Sequence, residues 1–364
     1  MTARNIPRRV CLLTGGGDAP GLNAVVRGFV HRATQSELTV FGSRYGLEGL
    51  LGRDEVVPLG LHDVGGILPR GGSILGCSTR SNPLAVSETD ETRKAAFSTV
   101  SRRLHELKID ALVLAGGDGT MAIAARFAES GIACVGIPKT IDGDLGGTER
   151  TCGFDTAVQV ATHAIDALHS TAEAHQRVLV LEVMGRNAGL IALHSAIAGG
   201  ADVALLPEIP YDVIRVAAKI RDRERRGLRF SIVVVGEGAR PIGGTASQIE
   251  SAARQRPARL GGAAERLMHE LQEARLEHDV RTTVLGHLQR GGTPSAFDRL
   301  LGTRFGVHAA GLCAEGRFGR MVSLRSGHVD SIPLAEACAA RAGVDPEGEL
   351  VRCARAVGIE LGAA

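Results

Sequence analysis

The chain reads Ala111-Leu-Val-Leu-Ala-Gly-Gly-Asp-Gly-Thr-Met121 at its most informative point. Residues 111–114 form an uninterrupted apolar run, as expected for a strand that is covered on both faces. Glycines follow at once, so we predict a loop at residues 116–120 and a helix from Met121 onward. Strand, glycine-rich loop and helix in this order form the repeating unit of α/β proteins.

The same order recurs along the chain. We predict further strands, each a continuous apolar run before a loop, at residues 10–13, 132–137, 178–183, 232–235 and 280–285. This alternation predicts the α/β class, in which ligands bind at the carboxyl ends of parallel strands. With 364 residues, the chain is long enough for two domains of ordinary size.

The composition argues against several kinds of partner. A net charge of +2 provides no overall field for nucleic acid or a membrane surface, and no apolar stretch reaches membrane-spanning length. With no Trp and two Tyr, the chain lacks platforms on which single-stranded nucleic acid stacks. Its seven scattered cysteines show no metal-ligand spacing, which is typical of reduced thiols. We therefore expect a soluble, cytoplasmic protein without nucleic-acid or membrane partners.

Two glycine-rich loops have the composition of phosphate sites. In Gly15-Gly16-Gly17-Asp18, backbone N–H groups can face a phosphate at a helix start, although a tight turn with positive φ explains the glycines equally well. In residues 116–120, the Asp118 carboxylate would repel a phosphate unless a metal ion lay between them, so Asp118 is a candidate Mg²⁺ ligand. Thr120 either lines this site or caps the following helix.

A third loop, residues 138–144, holds two carboxylates beside Lys139 and Thr140. Asp142 and Asp144 are two residues apart on an extended loop, so both can reach one site. One suits a base for a substrate hydroxyl, and the other suits a metal or structural contact. The alternative is that one or both stabilise a turn.

Arginines near strand ends or glycine-rich loops supply the opposite charge, at Arg80, Arg177, Arg186, Arg281 and Arg290. A guanidinium group binds phosphate oxygens at two points, and several together neutralise the charge spread over a transferring phosphoryl group. Their shared placement favours a doubly phosphorylated site. Because the chain contains no GxxxxGK[ST] motif, P-loop chemistry is excluded.

Two other classes of protein fit part of this pattern. Residues 117–122 satisfy the G-x-G-x-x-A of a dinucleotide-binding fingerprint, with Asp142 at a tolerable distance for a ribose contact, as in an NAD-dependent dehydrogenase. Against that class, an aspartate between the glycines is unfavourable beside a pyrophosphate, and the arginines have no role in hydride transfer. A non-catalytic phosphate sensor would use the arginines but leave Asp142 without a task.

Taken together, the loops resemble the phosphofructokinase family almost from end to end. The segments that carry the resemblance are LTGGGDAPGLNA (13–24), GGDGT (116–120), PKTID (138–142), GFDTA (153–157), HQR (175–177), VMGR (183–186), GEG (236–238) and LGHLQRGG (285–292). The resemblance implies two Rossmann-like, parallel-sheet α/β/α domains with the active site between them. The implied domains are residues 1–154 plus about 288–338 for the phosphoryl donor and Mg²⁺, and about 155–287 plus 339–364 for the sugar phosphate.

The resemblance also implies roles in an ATP-dependent transfer to the 1-hydroxyl of fructose 6-phosphate. Asp142 would accept the hydroxyl proton beside Thr140, and Arg186 with Arg80 would stabilise the transferring group. The implied donor site is Gly16, Gly17, Arg80, Ser81, Gly117, Asp118, Gly119 and Thr120, with Asp118 holding Mg²⁺. The implied sugar-phosphate site is Thr140, Ile141, Asp142, Arg177, Met184, Gly185, Arg186, Glu237, Arg281, His287, Leu288, Gln289 and Arg290. Two of these arginines, Arg177 and Arg281, would come from a neighbouring subunit, which implies a homo-oligomer, usually a tetramer.

Two positions bear on the choice of donor. In the resembled family, glycine at position 119 goes with ATP, whereas Lys139 is typical of pyrophosphate users. A chain with both Gly119 and Lys139 resembles a mixed subgroup typical of actinobacteria. We therefore expect ATP as the donor, with pyrophosphate as the alternative donor and a related ketose phosphate as the alternative acceptor. The family's usual Thr-Ile-Asp-Asn-Asp is here Thr-Ile-Asp-Gly-Asp. Gly143 removes an amide and loosens the loop, which predicts reduced activity or an altered sugar preference.

Overall fold

The computed structural model describes residues 8–52, 55–79, 89–250, 259–339 and 342–363. Within them the strands are β1 (Arg9–Thr14), β2 (Thr39–Ser43), β3 (Val56–Leu59), β4 (Ala111–Gly116), β5 (Cys134–Pro138), β6 (Val178–Val183), β7 (Val203–Leu205), β8 (Ser231–Gly236), β9 (Gln248–Glu250), β10 (Arg259–Leu260), β11 (Val280–Val284), β12 (Arg320–Arg325) and β13 (His328–Pro333). The helices are α1 (Leu22–Gln35), α2 (Asp90–Glu106), α3 (Asp118–Glu129), α4 (Phe154–His175), α5 (Leu190–Gly199), α6 (Val213–Arg225), α7 (Ala263–Glu273), α8 (Ala296–Ala314), α9 (Leu334–Ala339) and α10 (Glu349–Ala356), with a 3-10 helix at Gly286–Arg290. None of the helices in these ranges is long and apolar enough to cross a membrane.

The larger sheet has seven strands in the order β13-β12-β5-β4-β1-β2-β3. Its central strands β1, β4 and β5 run parallel, and helices cover both of its faces. Alternate residues of β1 point to opposite faces. Leu12 packs in a cluster with Phe29 of α1 and Phe305 of α8, whereas Leu13 packs in a cluster with Phe127 of α3. This two-sided burial explains the continuous apolar runs and confirms the predicted α/β class.

The smaller sheet has four parallel strands in the order β11-β6-β8-β7. Every residue of β6 and β8 is buried, as their apolar sequences predict. The prediction of an apolar run at residues 280–285 was wrong, because Arg281, Thr282 and Thr283 interrupt it. β11 forms the edge of the sheet and exposes part of its surface, so it tolerates polar residues.

The larger sheet takes its strands from residues 9–59, 111–138 and 320–333, and the smaller sheet from residues 178–284. The chain thus leaves the larger sheet and returns to it. The division at 1–154 plus 288–338 and 155–287 plus 339–364 stays a prediction.

Two helices on one face of the larger sheet approach each other very closely. A Cβ built on Gly28 of α1 would lie 2.5 Å from the carbonyl oxygen of Thr303, and one on Gly306 of α8 would overlap the carbonyl of Val25. Glycine at these two positions therefore allows α1 and α8 to pack backbone against backbone.

A buried carboxylate joins the starts of α4 and α8. Asp298 Oδ1 accepts a hydrogen bond from Gly153 N at 2.9 Å, and Oδ2 accepts from Thr156 N at 2.8 Å and Thr156 Oγ1 at 2.5 Å. Ser295 Oγ in turn accepts from Asp298 N. Since Gly153 lies at the N-cap of α4, this network fixes where the chain enters that helix after leaving the loop that follows β5.

Candidate active site

The loop of residues 15–18, here called the glycine loop, follows β1. Gly15 N donates to Ala115 O at 2.8 Å, and Gly16 N donates to Ser78 O at 3.2 Å. Gly16 has a φ of +74°, which favours glycine, so the turn explanation holds at this position. An open cleft of about 400 Å³ lies beside the loop, lined by residues 16–18, 72–73 and 76–79. Four of its nine lining residues are glycines, whose backbone a phosphate-bearing ligand can approach closely.

The second glycine-rich loop, residues 116–120, lies beside the first. A Cβ at Gly116 would overlap Thr120 Oγ1, and one at Gly15 would lie 2.8 Å from the same atom. The buried Thr120 side chain therefore fills the space between the two loops. The capping alternative for Thr120 was wrong, because Gly117 is the N-cap of α3 and Thr120 is its third residue.

Asp118 and Gly119 of this loop are exposed. Asp118 is exposed at the start of α3, and its Oδ1 accepts a hydrogen bond from Gly119 N at 2.7 Å. A Cβ built on Gly119 meets no described atom within 4 Å. Among the described residues, the space next to position 119 is therefore open to a Cβ atom.

The loop after β5 places a carboxylate inside the protein. Asp142 is 4% exposed, and its Oδ1 has no hydrogen-bond partner within the described residues. Its backbone N–H donates to Thr140 Oγ1 at 3.1 Å. Burial raises the pKa of Asp142, while the nearby charges of Arg290 and Arg186 lower it. Both arginines therefore lie close enough to stabilise the ionised form of this carboxylate.

Asp144 belongs to the same electrostatic cluster. Burial, followed by the negative charges of Asp142 and Asp118, raises the pKa of Asp144 from 3.8 to about 6. The carboxylates of the loops after β4 and β5 thus influence one another. Between the two aspartates, Gly143 has a φ of +71°, and a Cβ there would lie 2.9 Å from the Phe154 ring.

The ends of β6 and β8 meet through Glu237. Its Oε1 accepts hydrogen bonds from Gly185 N at 3.3 Å and from Arg186 N at 2.9 Å. Arg186 has a φ of +53°, so this turn holds a non-glycine residue in the left-handed region. Burial raises the pKa of Glu237, and the two N–H donors lower it.

The 3-10 helix contributes residues with different environments. Gln289 is fully buried; its Oε1 accepts from Met184 N at 2.8 Å and its Nε2 donates to Ala157 O at 3.3 Å. By contrast, His287 is exposed and Leu288 is 68% exposed. The Gln289 side chain thus joins the turn that follows β6 to α4. Its neighbours His287 and Leu288 face solvent.

Arg290 reaches from this helix to the glycine loop. Its Nη1 donates to Asp18 O at 3.0 Å, and a Cβ at Gly17 would lie 2.7 Å from the same nitrogen. Arg290 also lowers the pKa of Asp142, as described above. One guanidinium group therefore connects the predicted donor loop with the predicted base.

Two of the predicted site arginines, Arg177 and Arg281, lie away from the cleft. Arg177 Nε and Arg281 Nε bind the same carboxylate, Asp279, at 2.7 and 3.1 Å. They lie at the amino ends of β6 and β11, so the length of a strand, about 20 Å, separates them from the loops at the carboxyl ends. Within one chain, the structure does not bring them to the cleft. Arg80 and Ser81 lie outside the described residues.

Sequence reasoning missed two residues near the site. Asp298 anchors α4, and the spacing Ser295-x-x-Asp298 at a helix start was a capping signal that could have revealed it. Cys77 lines the cleft, and burial raises the pKa of its thiol. No pattern in the sequence distinguishes it from the other cysteines.

The acidic residues do not form a closed metal cage. Among the described residues, no group of three or more His, Cys, Asp or Glu side chains has the geometry to hold a metal ion. Mg²⁺ is usually held by one or two carboxylates together with substrate phosphates and water. Asp118 is exposed, and its charge reaches Asp144, whose pKa it helps to raise. These two carboxylates fit that mode of binding.

The charges of Arg290 and Arg186 thus act on the buried Asp142, and Arg290 also binds the glycine loop. This combination suits an α/β phosphotransferase. A family model described as Phosphofructokinase matches residues 9–313. The chain belongs to the phosphofructokinase family, as the resemblance of its loops predicted.

Individual relatives match most of the chain. An ATP-dependent 6-phosphofructokinase from Chloroflexus aurantiacus is 48% identical over 356 residues, which cover 98% of each protein. A pyrophosphate–fructose 6-phosphate 1-phosphotransferase from Streptomyces coelicolor is 50% identical over 341 residues, covering 93% of this chain and 96% of the relative. The structure of phosphofructokinase from Saccharomyces cerevisiae matches with a TM-score of 0.78 and 29% identity, covering 91% of this chain and 45% of that one.

Proposed function

We propose that this chain is a 6-phosphofructokinase. It transfers the γ-phosphoryl group of ATP to the 1-hydroxyl of fructose 6-phosphate, a glycolytic reaction that yields fructose 1,6-bisphosphate and ADP. The observation that carries the proposal is the buried Asp142, whose Oδ1 has no partner among the described residues. Burial raises the pKa of this carboxyl group, and the charges of Arg290 and Arg186 oppose that rise. A buried carboxylate beside two cations that favour its ionised form, with one oxygen that lacks a partner among the described residues, is suited to take a proton from a substrate hydroxyl.

In the proposed reaction, Asp142 accepts the proton of the 1-hydroxyl while the hydroxyl oxygen attacks the γ-phosphorus. The bond to the bridging oxygen of ADP breaks on the opposite side, and ADP leaves with the electron pair. Arg186 and Arg80 neutralise the charge on the transferring group. Thr140 holds the backbone N–H of Asp142 and thereby fixes the position of the base.

The sugar phosphate is proposed to bind at the turn after β6. Glu237 Oε1 is already used by the N–H groups of Gly185 and Arg186, which leaves Oε2 to accept from a sugar hydroxyl. The exposed His287 and the nearby Met184 complete this side of the site.

Mg²⁺ is proposed to bind at Asp118 together with donor phosphates. When bound, it would neutralise phosphate charge and orient the donor. The carboxylate of Asp118 is exposed and its Oδ1 also accepts from Gly119 N, which restricts the direction in which it faces.

The proposed donor is ATP because the space next to Gly119 is open, which leaves room for a nucleotide. A specific observation favours pyrophosphate as a second candidate. Lys139 places a cation under the glycine loop, and one relative of 50% identity is named as pyrophosphate-dependent.

A coupled assay with fructose 6-phosphate and Mg²⁺ tests the donor. We expect turnover with ATP and none with pyrophosphate at equal concentration. Turnover with pyrophosphate alone would show that pyrophosphate, and not ATP, is the donor, while the proposed phosphoryl transfer to fructose 6-phosphate would stand. Absence of turnover with both donors would contradict the proposal, and other ketose phosphates would then be assayed.

The active site is proposed to be completed by a second copy of the chain. Arg177 and Arg281 lie too far from the cleft to serve it within one chain, and both are partly exposed beside Asp279. Mixing inactive Arg281→Ala and Asp142→Asn proteins under conditions of subunit exchange tests this. Hybrid molecules should recover activity, since some sites then combine an intact Arg281 with an intact Asp142. No recovery after confirmed exchange would argue that each chain works alone.

A further inference from the structure

Lys139 is a buried cation whose hydrogen bonds go to the backbone of a different loop. Its side chain is 3% exposed at the end of β5. The Nζ donates to Gly15 O at 2.9 Å and to Gly17 O. Within the described part of the chain, no carboxylate forms an ion pair with it. The two carbonyl oxygens are therefore the direct partners of the buried charge, and the more distant carboxylates of Asp18 and Asp142 also favour it.

Arg290 binds the same loop from another direction. Its Nη1 donates to Asp18 O at 3.0 Å. Carbonyl oxygens of three of the four residues in the glycine loop thus accept hydrogen bonds from cations. Two of the loop's N–H groups are also fixed, since those of Gly15 and Gly16 donate to Ala115 O and Ser78 O.

The remaining backbone donors of the loop belong to Gly17 and Asp18. In the described residues, the N–H groups of Gly17 and Asp18 make no backbone hydrogen bond, and the cleft lies directly beside them. A loop whose carbonyl groups are bound from within the protein can present its N–H groups to an anion without rearranging. The charge of Lys139 supports this arrangement although burial lowers its pKa.

We propose that Lys139 is a positioning residue of the donor site, which holds the glycine loop by its carbonyl oxygens and does not itself contact the donor phosphates. This inference rests on the proposed function, because it assigns the loop to the donor. It accounts for Lys139 and Gly119 occurring in one chain. A lysine that supports the loop from within serves ATP as well as pyrophosphate, whereas position 119 faces the open space that a nucleotide would fill.

Hydrogen exchange of the donor-free protein tests the first half of the inference. Lys139→Met keeps the length of the side chain and removes both hydrogen bonds. We expect exchange in a peptide containing Gly15 and Gly16 to become at least about tenfold faster, while a peptide from α7 (Ala263–Glu273) is unchanged. Lys94→Met, at an exposed position of α2, is the matched control and should change neither peptide.

Steady-state kinetics test the second half. Lys139→Met should raise the KM for the donor about tenfold or more and change the KM for the sugar phosphate much less. Unchanged exchange with a raised donor KM would overturn the inference in favour of direct contact with the donor. Faster exchange in all peptides, or an unchanged donor KM, would also overturn it. If Lys139→Met does not fold, Lys139→Gln serves instead, because its amide can keep one carbonyl bond.

The exchange measurement needs no substrate, so it separates the two claims. If neither ATP nor pyrophosphate supports turnover but the exchange result is as expected, the proposed function fails. The role of Lys139 in holding the loop then stands.

Discussion

Replacing Asp144 by Asn should stabilise the protein, and the effect should depend on pH in a defined way. Burial and the charges of Asp142 and Asp118 raise the pKa of Asp144 from 3.8 to about 6. The native state therefore binds the proton more tightly than the unfolded chain does. Ionised Asp144 consequently lowers the free energy of unfolding above the raised pKa, and this penalty disappears as the pH falls below the ordinary value.

The size of the effect follows from the shift. A rise of about two pKa units corresponds to at most about 3 kcal/mol, because each unit is about 1.4 kcal/mol. For a chain of 364 residues, this is an increase in Tm of about 4 °C. Asn keeps an oxygen that can accept the hydrogen bonds of the carboxylate, so the main change is loss of the charge.

Thermal unfolding from pH 4 to pH 8, at one protomer concentration, measures this. The Asp144→Asn protein and the wild type should have equal Tm near pH 4, and the variant should be more stable above about pH 7. Asp166→Asn, at an exposed position of α4, is the control and should show no such trend. A variant that is less stable at pH 8, or a difference independent of pH, would refute the reasoning.

Two further substitutions test the site and the fold. Gly119→Asp should fold normally, since a Cβ there meets no described atom within 4 Å. The added carboxylate should repel the phosphates of ATP and raise the KM for ATP about tenfold or more. An unchanged KM would show that ATP does not use this space. Asp298→Ala should lower the free energy of unfolding by about 3 kcal/mol, because it leaves the buried donors of Gly153 and Thr156 unpaired. Denaturant titration measures this loss. A loss below about 1 kcal/mol would contradict the role of Asp298 as the anchor of α4.

The central strands could be predicted because burial on both faces requires apolar residues throughout. β4, β6 and β8 have this property, and the runs at 111–114, 178–183 and 232–235 match them closely. β11 does not, since one of its sides is an unpaired edge where polar residues are tolerated. An apolar pattern thus locates the centre of a sheet better than its border.

The candidate site was predicted in part, because residue type indicates chemistry but not the partner of each side chain. The sequence placed Lys139 near the donor, yet only the structure reveals that its Nζ binds Gly15 O. Bonds between residues so far apart in the chain leave no local pattern. The same holds for Arg177, whose ion pair with Asp279 depends on the pairing of β11 with β6.

Gly143 shows a different limit. Glycine in place of the family's asparagine removes a side-chain amide, which predicted reduced activity or an altered sugar preference. In the structure its φ is +71°, and an added Cβ would approach Phe154 and Leu190, at the starts of α4 and α5. A side chain at this position would be directed first at those two residues. The consequence for activity stays a prediction.

The most direct test of the proposed function is the kcat of Asp142→Asn, measured with ATP, fructose 6-phosphate and Mg²⁺. Asn occupies the same volume as Asp but cannot accept the proton of the 1-hydroxyl. We expect kcat to fall by about 10²- to 10⁴-fold, while calorimetry shows that fructose 6-phosphate still binds. A variant that retains more than about a tenth of the wild-type kcat would contradict the assignment of Asp142 as the base.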